Sequence, residues 1–434
     1  NVASDIIINF PESKNYSVTT VNFNVTTSEL SLACNYTLNE GVKNYTMQNN
    51  GDLNFNATNS SIGDGQYVVR YYCWDLASNL NYSETRKFGI DTTEANGTLL
   101  TPLNDTYTKI TSQNLTVNAS DETDLSNATL VIYNSTGLVY NETQEISGTE
   151  AVLGIVYEFL YDGIFEWFYK IRDTANNLFI TQNNTITIDT TYSLIDYGGG
   201  VETSGENFTR DFIFVNVTIN ETNEANVTFT LFDRDGQVNV TTLGAGNRTI
   251  NFTNLADERY YYNVSVTDKA NNINTTLTRE IGLDTTGPLM AIVHPQSKVY
   301  STNVSLPLNY TASDFVTELD TCWYNLDGGN NVTLDNCQNT IFNTSEGGHT
   351  LYLFSNDSLG NTDSISRSFS ISLTGPGITL VSPDDNYFFN STGLIYFNYT
   401  AEDPDSVDTC SLYGNWSGGW HLNQSQKIDW WHTS

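Results

Sequence analysis

A cassette that recurs four times with unchanged internal spacing limits what this chain can fold into. An acidic residue opens it (Asp64, Asp162, Asp257, Glu346), a ring follows three positions later (Tyr67, Phe165, Tyr260, His349), and an aspartate closes it eleven positions after the start (Asp75, Asp173, Asp268, Asp357). Four residues further on stands an asparagine: Asn79, Asn177, Asn272 or Asn361. In three copies another Asp, sixteen residues past the closing one, begins Asp91-Thr92-Thr93, Asp189-Thr190-Thr191 or Asp284-Thr285-Thr286, whereas the fourth copy drifts to Leu373-Thr374-Gly375-Pro376. The closing aspartates lie 98, 95 and 89 residues apart. Solenoid turns repeat at about 20 to 50 residues, but a two-sheet sandwich with its own core takes about 100. The chain therefore reads as modules in a row: 1–91, 92–190, 191–285, 286–374 and a shorter 375–434.

Composition sets the type of module. The hydrophobic share of 38%, with 26 Tyr and 21 Phe, favours strands. Around the first cassette Tyr67, Val69, Tyr71 and Cys73 fall on one face of a strand and Val68, Arg70, Tyr72 and Trp74 on the other. Turn signals such as Gly63-Asp64-Gly65, Asp235-Gly236 and Asp327-Gly328-Gly329 separate such runs. The expected fold is all-β: tandem immunoglobulin-like antiparallel β-sandwich modules, beads on a string. Rings on both faces of one strand cannot all enter one core, so some are expected to meet a neighbouring module or subunit. The apolar stretch 151–160, continuing to Tyr169, is broken by Glu158, Asp162 and Glu166 and is too short to cross a bilayer; it reads as two neighbouring strands.

The start Asp64-Gly65-Gln66-Tyr67 looks like the tyrosine corner of immunoglobulin-type sandwiches, which implies a weaker corner in the fourth module, where His349 replaces the ring. Asp75-Leu76-Ala77-Ser78-Asn79 and Asp268-Lys269-Ala270-Asn271-Asn272, with Asp284-Thr285-Thr286-Gly287-Pro288 after a following strand, resemble the immunoglobulin-like repeats of archaeal and bacterial surface proteins. The resemblance covers nearly the whole chain. It implies display on a cell envelope, in adhesins, surface layers or appendages, with no catalysis tied to the repeat.

Pro11, Pro102 and Pro295 each precede a Tyr by five residues (Tyr16, Tyr107, Tyr300), and Pro383 precedes Phe388 likewise. The third module departs from this pattern. Its start, 192–214, contains Gly198-Gly199-Gly200, so its first strand is expected to be bent or displaced, with a hinge or an assembly contact as the sharper idea against an ordinary irregular loop. A module begun at Pro383 does not reach its cassette by Ser434; its missing strands are expected from a continuing polypeptide or from another subunit by strand donation.

A second signal concerns location. Of 54 asparagines, 33 sit in Asn-x-Ser/Thr sequons, where 58 Thr and 36 Ser would place only about 12 by chance. The glycosylation candidates assigned are Asn24, Asn35, Asn44, Asn56, Asn96, Asn114, Asn127, Asn134, Asn141, Asn207, Asn216, Asn226, Asn239, Asn247, Asn251, Asn274, Asn309, Asn331, Asn390 and Asn398. Residues two apart on a strand share a face, so in Asn24-Val25-Thr26 or Asn226-Val227-Thr228 the Asn can carry a glycan outward while Val points in. The excess implies an exported glycoprotein. Beside this repeat type it points to an archaeal envelope, with eukaryotic secretion as the alternative. The sequence shows no signal peptide or spanning helix.

Five cysteines in an exported chain invite pairing. Cys34 and Cys73 match the layout of the inter-sheet disulfide of immunoglobulin sandwiches. Ser355 stands where Cys73 would in the fourth module, leaving Cys337 as the partner of Cys322, around Asp327-Gly328-Gly329. Cys410 is unpaired, with a partner expected beyond the sequence or in another molecule.

The formal charge of −33 excludes a general phosphate-binding surface and hence nucleic acid. Asp121-Glu122-Thr123-Asp124, Asp233-Arg234-Asp235-Gly236 and Asp403-Pro404-Asp405 offer oxygens to Ca²⁺, and the Asp-Thr-Thr junctions could stiffen through one, but none has EF-hand spacing and no metal site is assigned. His294, His349, His421 and His432 are scattered, with no zinc helix, nucleophile elbow or phosphate loop, so no catalytic or cofactor-binding residue is expected. Trp416, Trp420, Trp430 and Trp431 crowd the last segment, as core, as subunit contacts or as sugar-stacking rings. The sequence thus leads to a non-enzymatic, heavily N-glycosylated extracellular structural protein, a self-associating subunit of a surface filament, surface layer or adhesin stalk. The alternative is a binding protein that recognises a glycan or partner cell through its terminal module.

Overall fold

A computed structural model describes residues 3–388, 390, 393–403, 407–415 and 418–427. Among these residues every regular element is a strand except the 3₁₀ turn Asp335–Cys337. Four two-sheet sandwiches follow one another along the chain, each with its own hydrophobic core.

The second module shows the plan. Its smaller sheet has the order Asn96–Thr101, Ser112–Ser120, Glu150–Glu158. The larger runs Thr106–Thr108, Asn184–Ile188, Gly163–Asp173, Leu125–Asn134, Gly137–Glu145, with Leu178–Ile180 also on the cassette strand. All pairings are antiparallel except that of Thr106–Thr108 with Asn184–Ile188. This is the immunoglobulin-type arrangement. The apolar stretch at 151–169 becomes two strands as expected, but they lie in opposite sheets rather than side by side.

Alternation along each cassette strand explains its burial. In Gly65–Asp75, Val69, Tyr71, Cys73 and Asp75 are buried while Arg70, Tyr72 and Trp74 face outward and are half-exposed. Trp167 and Tyr169 do the inward work in the second module, Tyr262 and Val264 in the third, Leu351 and Leu353 in the fourth. The outward rings are taken up within their own sheet face. Tyr133 stacks on Phe168 and Trp323 on Phe354, each pair 4° from parallel, while Tyr72 meets Tyr82 under the Arg70 guanidinium.

The tyrosine corner is present and corrects one expectation. Tyr67 Oη donates to the carbonyl of Gly63 and Tyr260 Oη to that of Ala256, each four residues back. His349 Nε2 makes the same contact with Ser345 O at 3.0 Å, while its Nδ1 lies 2.7 Å from Asp327 Oδ2. The imidazole therefore preserves the corner. Burial draws Asp327 upward, but the His349 ring and the Thr350 N–H outweigh it and hold its carboxyl below the usual range. Phe165, which has no hydroxyl, is the copy left with packing alone.

In the third module the first strand is neither displaced nor missing. Leu194–Tyr197 pairs with Ile213–Asn220 as its counterparts do, and Gly198 to Gly200 form a turn held by Gly198 N–H to Asn216 O and by Asn216 Nδ2 to Gly199 O. A Cβ on Gly198 would meet Asn216 Nδ2 at 2.7 Å, and Gly200 has φ +81°. The run belongs to the inside of a module, not to a joint. The last segment forms two hairpins, Gly377–Ser382 with Asn398–Glu402 and Thr409–Gly414 with His421–Lys427, whose apolar residues Ile378 and Leu380 stay exposed.

Candidate functional site at the module joints

The fixed eleven-residue spacing of the cassette is the length of a module. Each cassette strand (Gly65–Asp75, Gly163–Asp173, Glu258–Asp268, Gly347–Asp357) has eleven residues, whose ends lie about 33 Å apart at a rise of about 3.3 Å from each residue to the next. Its opening acid lies at the downstream end. There Asp162 accepts from Thr190 N–H (3.0 Å), Thr190 Oγ1 (2.8 Å) and Thr191 Oγ1 (2.7 Å). Asp64 holds Thr92, and Asp257 holds Thr285 and Thr286, in the same way. Burial pulls the Asp162 carboxyl upward, yet the Thr191 and Thr190 donors prevail and keep it below the ordinary carboxylate range. Glu346, facing the drifted Leu373-Thr374 sequence, accepts from Leu373 N–H at 3.2 Å, with no threonine donor among the described residues.

At the upstream end the closing aspartate organises a tight turn. Asp268 Oδ1 accepts the Asn272 N–H at 2.8 Å and its Oδ2 accepts Asn272 Nδ2 at 2.7 Å; Asp75, Asp173 and Asp357 repeat both bonds with Asn79, Asn177 and Asn361. The turn requires a left-handed residue just before the Asn, and Ser78 (φ 63°), Asn176 (φ 73°), Asn271 (φ 66°) and Gly360 (φ 88°) supply it.

That turn is also the joint. The side-chain amide that satisfies the closing Asp donates across to the end of the preceding module: Asn177 to Asp91 O (2.8 Å) and Thr93 O (3.0 Å), Asn272 to Asp189 O (2.8 Å), Asn361 to Asp284 O (3.1 Å). Ala175 and Ala270 are buried in the turn, whereas Ala77 of the first module is exposed. Gly287 belongs to the same contact, since a Cβ there would lie 2.5 Å from the carbonyl carbon of Thr362. Each joint adds its own lateral bonds. Asn15 Nδ2 donates to Thr174 Oγ1 (2.7 Å). Lys109 Nζ donates to Asn271 O (2.7 Å) while Lys269 lies over the Tyr107 ring. Arg259 Nη2 donates to Val316 O (2.9 Å) and Arg234 lies over Phe315. Asp173 and Asp284 are pushed above the usual carboxylate range, first by burial and then by neighbouring aspartates.

The other expected positions fall as follows. None of the twenty assigned sequon asparagines is buried, and half of them, including Asn44, Asn114, Asn239 and Asn331, are exposed. Asn274 is partly buried, its Nδ2 donating to Ser193 O at 2.9 Å. Cys34 bonds Cys73, but the bridge joins directly opposed residues on neighbouring strands of one sheet, not the two sheets. Cys322 bonds Cys337. Cys410 is unpaired and buried. Of the suggested Ca²⁺ runs, Asp233 caps its own hairpin turn through Asp235 and Gly236 N–H. Pro404 and Asp405 lie outside the described residues, as do Trp416, Trp430, Trp431 and His432. Asp121 lies in the first joint, with Asp91 of the first Asp-Thr-Thr junction and Asp173 beside it. Sequence reasoning missed Asn15, Lys109, Asn223, Asp314 and Thr317, because the lateral partners share neither residue type nor spacing from joint to joint. No helix among the described residues is long and apolar enough to cross a membrane.

No protein-family description and no curated protein matches the chain. Among solved structures it is similar to a tetra-tandem repeat in the extending region of a large adhesion protein (15% identity, 86% of this chain and all of that one, TM-score 0.32). It is also similar to fibronectin(III)-like modules of Clostridium thermocellum CbhA (15% identity, 41% and 94%, TM-score 0.19) and to immunoglobulin domains 1–4 of Sidekick-1 (8% identity, 85% and 99%, TM-score 0.26). These are likenesses of tandem immunoglobulin- and fibronectin-type sandwiches.

Proposed function

We propose that the chain is a non-enzymatic, heavily N-glycosylated extracellular structural protein whose modules form a stiff spacer in a surface filament, surface layer or adhesin stalk of an archaeal envelope. The observation that carries this reading is that the recurring cassette residues sit at the ends of the modules and bond across the joints between them. The disulfides brace the first and fourth modules. Glycans on the twenty sequons would cover strand edges and deter proteolysis. Among the described residues of the last segment, Trp420, 73% exposed, supports the recognition alternative.

Electron microscopy of the native, undigested protein tests the proposal. Regular filaments or sheets are expected, and peptide mass spectrometry of the same material should find the assigned asparagines glycosylated. Dispersed chains that gather only around an added glycan or partner cell would overturn the structural reading in favour of recognition, and bare asparagines would remove the glycan part.

A further inference from the structure

The three complete joints are built on one plan and differ in how they answer the last aspartate of the upstream module. In the joint between the second and third modules, Asn223 Nδ2 donates to Asp189 Oδ2 at 2.7 Å, and the nearby Glu221 is turned to Ser193 Oγ at 2.7 Å. In the joint between the third and fourth, Thr317 Oγ1 donates to Asp284 Oδ2 at 2.7 Å. The first joint has no such donor. Asp91 Oδ2 is buried without a hydrogen-bond partner, in a residue only 4% exposed.

Around it the first joint gathers charge. Asp91, Asp121 and Asp173 each place a carboxylate oxygen within 4.8 Å of the other two, and Asp121 and Asp173 are 9% and 2% exposed. No Lys, Arg or His among the described residues forms an ion pair with any of the three. Three like charges brought this close in a water-poor place repel one another strongly, and buried charges are found paired or on metals. Polar hydrogens already serve some of the oxygens: Thr93 N–H on Asp91 Oδ1, Thr123 and Asp124 N–H on Asp121 Oδ1, and Asn177 on both oxygens of Asp173. What is left over is negative and all-oxygen, the donor set of a hard cation.

We propose that the joint between the first and second modules binds a hard divalent cation of the calcium class, with Asp91, Asp121 and Asp173 as its carboxylate ligands. One ligand comes from the upstream module and two from the downstream one, so the ion ties the modules together. The inference rests on the joint as described and not on the chain's being a surface polymer. The cluster of Asp284, Asp314 and Asp357 at the third joint resembles it, but Thr317 already meets Asp284 Oδ2 there, and that joint is not assigned an ion.

Calorimetric titration of the chelator-treated full chain with CaCl₂, in enough NaCl to screen the diffuse acidic surface, decides the matter. One saturable site is expected, weakened at least tenfold by Asp121→Asn, which keeps the Oδ1 that caps Thr123 and Asp124, and unchanged by Asp314→Asn. Should Asp121→Asn fail to fold, Asp91→Asn gives the same readout. Absence of saturable binding, or binding equal in wild type and in the folded Asp121→Asn or Asp91→Asn variant, would overturn the assignment.

Discussion

Replacing Asn272 by alanine is expected to destabilise the third module by about 3 kcal/mol and to lower its melting transition by more than about 10 °C. The side chain is 1% exposed, and its amide serves two acceptors at once, Asp268 Oδ2 at 2.7 Å and Asp189 O at 2.8 Å. Alanine keeps the backbone bond to Asp268 Oδ1 but leaves a buried carboxylate oxygen and a joint carbonyl without their donor. Asn79→Ala is the control. Its side chain makes the same turn with Asp75 but is partly exposed, and its loss should cost less than half as much. Calorimetry of both variants measures the difference. Equal losses would mean that the amide stabilises only its own turn and that the bond across the joint is worth nothing.

Removing the Cys34–Cys73 bridge by a double alanine substitution is expected to cost the first module about 4 kcal/mol. The bridge closes a loop of 39 residues, for which the chain-entropy account gives about 4 kcal/mol, against about 3 for the 15-residue separation of Cys322 and Cys337. Cys34 is wholly buried and Cys73 nearly so, in the core beside Tyr36 and Tyr71, so lost packing adds to the effect. Chemical reduction of the intact chain gives an internal comparison, because the second and third modules contain no cysteine. Two transitions should move and two should stay. If all four moved together, the modules would be melting as one unit rather than as separate cores joined at their ends.

Much of this architecture was legible in the residues, and the reasons are local. Strand alternation around Tyr67 to Trp74 and the turn chemistry of Asp, Gly and Asn are short-range, so the type of module could be read directly. The cassette spacing was visible too, but not its meaning, because nothing in a sequence says that Asp162 and Asp173 face opposite ends of one sandwich. The placement of Cys34 and Cys73 failed for the same reason: their strand positions were right, while sheet membership depends on which strands lie side by side. His349 looked like a broken corner because residue type hid a shared geometry, an imidazole nitrogen reaching the same carbonyl as a phenol hydroxyl. Asp121 was visible as an acidic run, yet its neighbours in space, Asp91 and Asp173, are 30 and 52 residues away in the sequence.

The cassette strands lie along the molecule, and the asparagine turns hold successive modules end to end. Small-angle X-ray scattering of the full chain checks this arrangement. Four complete modules of about 33 to 35 Å each give a rod of roughly 140 Å with a radius of gyration of roughly 40 Å or more, whereas a compact chain of this length would have about 22 Å. The larger radius with a clear rod-like cross-section regime is expected, as is the loss of that regime when Asn177, Asn272 and Asn361 are all changed to alanine. A radius near 22 Å, or a wild-type curve indistinguishable from that of the triple variant, would contradict it.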